Sequence, residues 1–284
     1  MRKTALMMIV LAVVVCVGAV AQEAKPWTKP GTAAGQEIVG LDGGKLVWVP
    51  AGSFRMGSTD AEVDYAYDLA KEVDSDAKRE WFEDEQPARQ VEMDGFWMGK
   101  HEVTNAQYRA FCAATERQFP ERSDQADEHP VVYVSRHDAV AYCEHYGLSL
   151  PTEAQWEYAA RGRESRIFPW GNEWDGSRLY WFNNLGPGGK TFPVGSFPQG
   201  ASWCEALDMA GNVWEWCADW YQKDYYKSAP SRNPPGPSSG SCHVLRGGSW
   251  FNVLPGFSRS AYRSYLYFPW YRYDFIGFRC ARGL

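Results

Sequence analysis

The sequence predicts a single α+β domain, mixed in its elements and irregular over much of its length. Three observations carry that reading. The middle of the chain contains three helix starts marked by their own caps. The segments before them alternate apolar and polar residues in the manner of short strands. Beyond Ile167 no helical period survives, and glycine turns and tryptophan-rich loops take over.

The elements follow in order. Residues 22–40 are polar and rich in Pro and Gly, and read as a flexible leader to a domain over 41–284. In "KLVWVPAGSFRMGS" the apolar positions alternate on either side of Pro50-Ala51-Gly52, which suits two short strands. Asp60 to Glu85 is strongly acidic with scattered apolar residues, and reads as an irregular, partly helical surface insertion. "RQVEMDGFWMGKHEVT" resumes strand character. Thr104 with Gln107 makes a capping box for "NAQYRAFCAAT", each side chain serving a backbone donor of the first turn. Ser135 caps "RHDAVAYCEHYG", with Asp138 at the positive end of the helix dipole and Gly147 as its stop. Thr152 with Gln155 caps "EAQWEYAARG", which Gly162 closes. No internal repeat appears, and no linker divides two self-sufficient halves.

Composition narrows the class. The chain has 284 residues, with 14 Trp, 16 Tyr and 14 Phe beside 27 Gly and 17 Pro, so long loops are pinned by large rings. A net charge of −6 argues against a general nucleic-acid binder, which needs a basic face. Arg2 and Lys3 precede an apolar run from Ala5 to Val17, and Ala19-Val20-Ala21 is a small-x-small cleavage signal. Residues 1–21 are therefore expected to be a signal peptide cleaved after Ala21. The run is too short for a membrane span. The mature protein is expected to be exported, periplasmic or extracellular, where its cysteines can form disulfides.

A series of motifs then falls in a fixed order: "HPVVYVSRHDAVAYCEHYGLSLPTEAQWEYAARG", "FPWGN", "FPVGSFP", "DMAGNVWEWCADWY", "LRGGSW" and "IGFRCAR". Together they resemble the formylglycine-generating enzyme, or sulfatase-modifying factor, family, from about Lys45 to Arg282. The resemblance implies an elaborated C-type-lectin-like fold with little regular secondary structure. It also implies a structural calcium site from the Asp208 side chain, the Gly211 and Val213 carbonyls and the Glu215 carboxylate, oxygen donors that suit a hard cation. A glycine turn leading into a buried strand is the plainer reading of the same stretch. A second calcium site is implied at Asn183 and the Asn184 carbonyl, although Leu185 to Phe192 lacks the matching acid. Cys143 is implied to pair with Cys280, while Cys112, Cys204, Cys217 and Cys242 are left unassigned.

In members that oxidise sulfatases, the "GGS-aromatic" motif is followed by two cysteines whose thiolates bind copper(I), a soft ion suited to sulfur. The matching positions here are Asn252 and Phe257, and neither can act as a thiolate. Copper is therefore not expected. What remains as a candidate cleft is Ser249, Trp250, Asn252, Phe257, Ser258, Arg259, Tyr262 and Arg263. Arg259 and Arg263 could hold an anionic group or peptide carbonyls, or could form structural salt bridges. No catalytic base is identified: His243 is the nearest histidine, and a lone one is more often packed than catalytic. The function expected is an exported binding or accessory protein with a peptide-type cleft, taking a peptide, protein or small-molecule ligand. The alternative is an oxidase of a small molecule or peptide, since the family resembles in one branch proteins that complete a siderophore chromophore without the copper cysteines. Conversion of a sulfatase cysteine to formylglycine is the reading least supported.

Overall fold

The computed structural model describes residues 25–121, 123, 126–184, 189–265 and 267–284, so the expected signal peptide lies outside the described residues. In chain order the strands are β1 (Glu37–Val39), β2 (Lys45–Val49), β3 (Gly52–Met56), β4 (Arg89–Met93), β5 (Phe96–Gly99), β6 (Trp214–Trp220), β7 (His243–Arg246), β8 (Ile276–Gly277) and β9 (Ala281–Gly283). The helices are α1 (Asp60–Lys71), α2 (Asn105–Thr115), α3 (Arg136–His145) and α4 (Glu153–Arg161).

Three small sheets result. One is antiparallel in the order β1-β2-β5-β9, with Trp48 opposite Trp97 and Met98 opposite Ala281. The second pairs β3 with β4, and the third runs β7-β6-β8, where β8 lies parallel to β6. The two strands flanking Pro50 thus form as expected, but they join different sheets. Much of the remaining chain is turn and loop, in agreement with the mixed, irregular class expected.

The capping boxes set α2, α3 and α4 where the sequence put them. Thr104, Ser135 and Thr152 each accept from the backbone N–H three residues on, and Gln107, Asp138 and Gln155 reciprocate. Gly147 and Gly162 take positive φ where α3 and α4 stop.

Two expectations are corrected. Of the expected leader, the described residues 25–40 are part of the fold: Trp27 is 2 % exposed in the main core, β1 pairs with β2, and Trp97 Nε1 donates to the Lys29 carbonyl at 3.1 Å. One large ring repays the ordering of this polar stretch. The acidic insertion is equally well built. Thr59 and Glu62 form a fourth capping box, and Val63, Ala66, Leu69 and Ala70 turn inward from α1. A 3-10 turn, Arg79–Glu85, follows and buries Phe82, Asp84 and Glu85. Several of the segment's acids meet arginine: Arg79 contacts Asp60, Asp64 and Glu83. Gly57 lets this segment close, because at φ +80° a side chain there would be strained and would overlap the Glu85 carbonyl oxygen.

Cys143 and Cys280 are buried free thiols with their sulfurs 3.4 Å apart, so α3 and the strand end that the resemblance pairs are in contact.

Candidate functional site

The site begins with a charged stripe turned inward. Glu153, Glu157 and Arg161 recur every fourth residue on α4, on one face of the helix, and each is at most 1 % exposed. Burial on this scale requires partners, and arginines from three segments supply them. Arg161 pairs with Glu62 and Glu157 at 2.8 and 3.0 Å. Arg246, at the end of β7, meets Glu157 and Glu153 and donates to the carbonyls of Ser260, Ala261 and Tyr262. Arg259 forks onto Glu85, and Arg263 grips Glu153 with Nε and Nη2 at 2.7 and 3.1 Å. Burial works to raise the Glu153 carboxyl, but the charges of Arg263 and Arg246 outweigh it and hold the group low. Arg259 and Arg263 are therefore committed to internal ion pairs, which is the salt-bridge alternative of the two that the sequence left open.

A cavity of about 500 Å³ opens beside this network. Its lining comes from the 3-10 turn (Glu80, Trp81, Asp84), the chain after β6 (Tyr221, Lys223) and the segment after β7 (Leu254, Phe257, Tyr262, Arg263, Ser264, Tyr265). Of the eight cleft candidates, Phe257, Tyr262 and Arg263 reach it. Ser249, Trp250, Asn252, Ser258 and Arg259 do not, because each is used in the frame. The Asn252 Oδ1 accepts from the Ser249 backbone N–H and Oγ at 2.7 and 3.0 Å, and Trp250 Nε1 donates to the Asp274 carbonyl at 3.1 Å. Ser258 is fully buried. Phe257 lies against Tyr262 with ring centroids 4.6 Å apart, and against Phe82 at 6.0 Å. Among the described residues, no thiol lines the cavity.

Sequence reasoning missed the acidic corner of this cavity. Asp84 is 6 % exposed; its Oδ2 accepts from the Tyr221 hydroxyl at 2.8 Å, and its Oδ1 has no hydrogen-bond partner among the described residues. Burial lifts its pKa to about 6, with Arg263 and the Tyr221 bond opposing and the charges of Glu85 and Glu153 assisting. Tyr221 in turn stacks on Tyr265 at 3.9 Å, and burial together with the Asp84 charge pushes its phenol well up. His243 behaves as a packed residue. It lies 3.7 Å from the Trp220 ring with Nδ1 on the Asp219 carbonyl, and burial lowers it to about 4.

The residues implied for calcium are divided by the structure. Glu215 takes both Nε and Nη2 of Arg279 at 2.6 Å and the Trp156 indole at 2.8 Å, so its oxygens are already satisfied and do not fit a cation ligand as placed. Asp208 Oδ2 accepts from Gly195 at 2.6 Å, and its carboxyl shares a hydrogen bond with Glu102. The Glu102 Oε1 accepts from the Asn212 amide at 3.0 Å, and burial and the Asp208 charge raise that acid far up. Two buried carboxyls thus share a bond beside Asn212, the residue between Gly211 and Val213, and such clustered acidic oxygens suit a hard cation. At the second site Asn183 and Asn184 are exposed, and the Asn184 amide bonds the backbone of Trp181 and Leu179. Among the described residues, no group of three or more His, Cys, Asp or Glu is arranged to hold a metal.

Comparison with known proteins places the chain. It is 31% identical over 280 residues to the formylglycine-generating enzyme of Mus musculus, covering 78% of this chain and 69% of that one. It is 36% identical over 168 residues to the inactive C-alpha-formylglycine-generating enzyme 2 of Bos taurus, covering 55% of this chain and 51% of that protein. The solved structure of PvdO from Pseudomonas aeruginosa superposes with a TM-score of 0.74 at 28% identity, covering 89% of this chain and all of the other. Residues 34–284 match the profile described as the sulfatase-modifying factor enzyme 1-like domain. With that match over nearly the whole described fold, the chain belongs to the formylglycine-generating, sulfatase-modifying-factor family.

Proposed function

We propose that the chain is an exported binding or accessory member of its family, which holds a peptide-type or small-molecule ligand in the cavity and performs no copper chemistry. The observation that carries this reading is Phe257. At the position of a copper cysteine stands a phenyl ring packed between Tyr262 and Phe82, forming cavity wall. A ring supplies contact area and no metal ligand. Asn252, at the other sulfur position, spends its carbonyl oxygen on Ser249. Likeness to a relative named inactive supports the same view. Export rests on the basic and apolar stretch before Ala21. Structural calcium is proposed at the Gly211 turn, with Asp208 retained and Glu102 taking the part first given to Glu215. The cavity is tested by aerobic incubation with a Cys-x-Pro-x-Arg peptide, with and without copper. Retention without aldehyde formation is expected, and copper-dependent aldehyde would overturn the reading.

A second reading, oxidation of a small molecule, is favoured by one observation: Asp84 is an acid inside the cavity with one oxygen uncommitted. Oxygen consumption with a catecholic compound would establish it.

A further inference from the structure

We infer that the cavity selects a ligand bearing an organic ammonium group, with Asp84 as its counter-charge; the inference rests on the binding reading above. The first support is charge accounting among the buried groups. Arg161, Arg246, Arg259 and Arg263 are answered by Glu62, Glu157, Glu85 and Glu153. Among the described residues, Asp84 receives no guanidinium on its carboxylate; its one side-chain partner is the Tyr221 phenol. Arg263 does approach, but its Nη1 goes to the Asp84 backbone carbonyl at 2.9 Å, and its fork belongs to Glu153.

The second support is donor and acceptor chemistry. Tyr221 has given its only proton to Asp84, so toward the cavity it offers lone pairs alone. Asp84 adds a carboxylate oxygen that no donor among the described residues reaches. A ligand that meets this corner must bring protons. Trp81, Phe257, Tyr262 and Tyr265 line the cavity with aromatic surface that accepts a carbon skeleton, while the Tyr221 ring is itself taken up by Tyr265 at 3.9 Å and the Arg263 guanidinium at 4.9 Å. At the rim, exposed Glu80 pairs with Lys78 at 3.7 Å and Lys223 is likewise exposed, so all three charges are screened by solvent. A cavity of about 500 Å³ accommodates a small organic molecule.

The groups facing Asp84 are Glu80 and Glu85 from its own turn, Tyr221 and Lys223 from the chain after β6, Glu153 from α4, and Arg259, Tyr262 and Arg263 from the C-terminal segment. Burial holds Asp84 at about 6, so the counter-charge is present above neutrality and fades in mild acid.

Three probes of one shape test the inference by calorimetry at pH 7.5: 2-phenylethylamine, 2-phenylethanol and phenylacetate. The amine is expected to bind at least tenfold more tightly than the alcohol, and phenylacetate least. At pH 5 the margin should shrink. Asp84→Asn should bring the amine to the level of the alcohol while the alcohol binds as before, which shows the cavity intact. Equal binding of amine and alcohol, a preference for phenylacetate, or an amine preference that survives Asp84→Asn would overturn the inference. So would failure of all three probes. In that case a peptide retained without turnover leaves the binding reading standing, whereas aldehyde formation on the peptide removes both.

Discussion

Arg263 ties α4 to a wall of the cavity: its fork holds Glu153 at the start of α4, and its Nη1 holds the carbonyl of Asp84 in the 3-10 turn at 2.9 Å. Both side chains of the ion pair are at most 1 % exposed. Removing one partner therefore strands a charge in a medium that cannot solvate it. Arg263→Met is expected to cost about 3–5 kcal/mol of unfolding free energy. The double variant Glu153→Leu with Arg263→Met should recover most of that loss, as read from urea midpoints. A single variant as stable as the parent would show the pair to be idle.

The contact between Cys143 and Cys280 leads to a redox expectation. These sulfurs touch across 137 residues of chain. Burial and the neighbouring Cys143 push the Cys280 thiol up, so closure in the folded protein is slow and proceeds faster during oxidative refolding. A closed bridge would stabilise by up to about 5 kcal/mol on chain-entropy grounds. Protein refolded under oxidising conditions should show a Cys143–Cys280 peptide by mass spectrometry, and reductant should lower its melting temperature.

Asp219 predicts a pH dependence. It is 3 % exposed and accepts from the Glu153 backbone N–H at 2.8 Å; burial first, then the Glu153 charge, raises it to about 7. In the unfolded chain it ionises near 3.8. Between those values the folded form keeps a proton that the unfolded form has released. Its stabilisation is thus complete below the lower value and is lost as pH rises through the upper one. The slope reaches about 1.4 kcal/mol per pH unit at most. Unfolding free energies from pH 4.5 to 7.5 should fall less steeply in Asp219→Asn than in the parent.

Gly57 supplies a backbone test. At φ +80° and against the Glu85 carbonyl, an added methyl meets both strain and collision. Gly57→Ala is expected to cost about 1–3 kcal/mol. It should also loosen the seat of Glu85, which holds Ser58 and Arg259. Thermal melts and probe binding by the cavity measure the two effects separately.

The parts of the fold legible in the sequence were those fixed by local rules. Thr104, Ser135 and Thr152 announce their helices because a cap satisfies donors only a turn away. The same rule written in Thr59 and Glu62 marks α1, but the acids along Asp60 to Glu85 masked its apolar stripe. Trp27 escaped notice because its core partners are distant in sequence, whereas β1 was missed although its signal is local: it forms a hairpin with β2, Val39 opposite Lys45 across the turn Gly40–Gly44. The site was half legible. Phe257, Tyr262 and Arg263 were found through the motif they sit in. Asp84 and Tyr221, 137 positions apart, carry no spacing signal that could have joined them. Arg259 and Arg263 stayed open between ligand binding and salt bridges because the carboxylates that decide it, Glu85 and Glu153, lie 174 and 110 positions away.

The segment from α1 through the 3-10 turn contributes no strand to any sheet, yet it supplies Glu80, Trp81 and Asp84 to the cavity. Scaffold and selectivity are thereby separable: what the pocket prefers can drift through changes in this one stretch while the sheets stay fixed. A protein assembled in this way can exchange its clientele over evolutionary time without relearning how to fold.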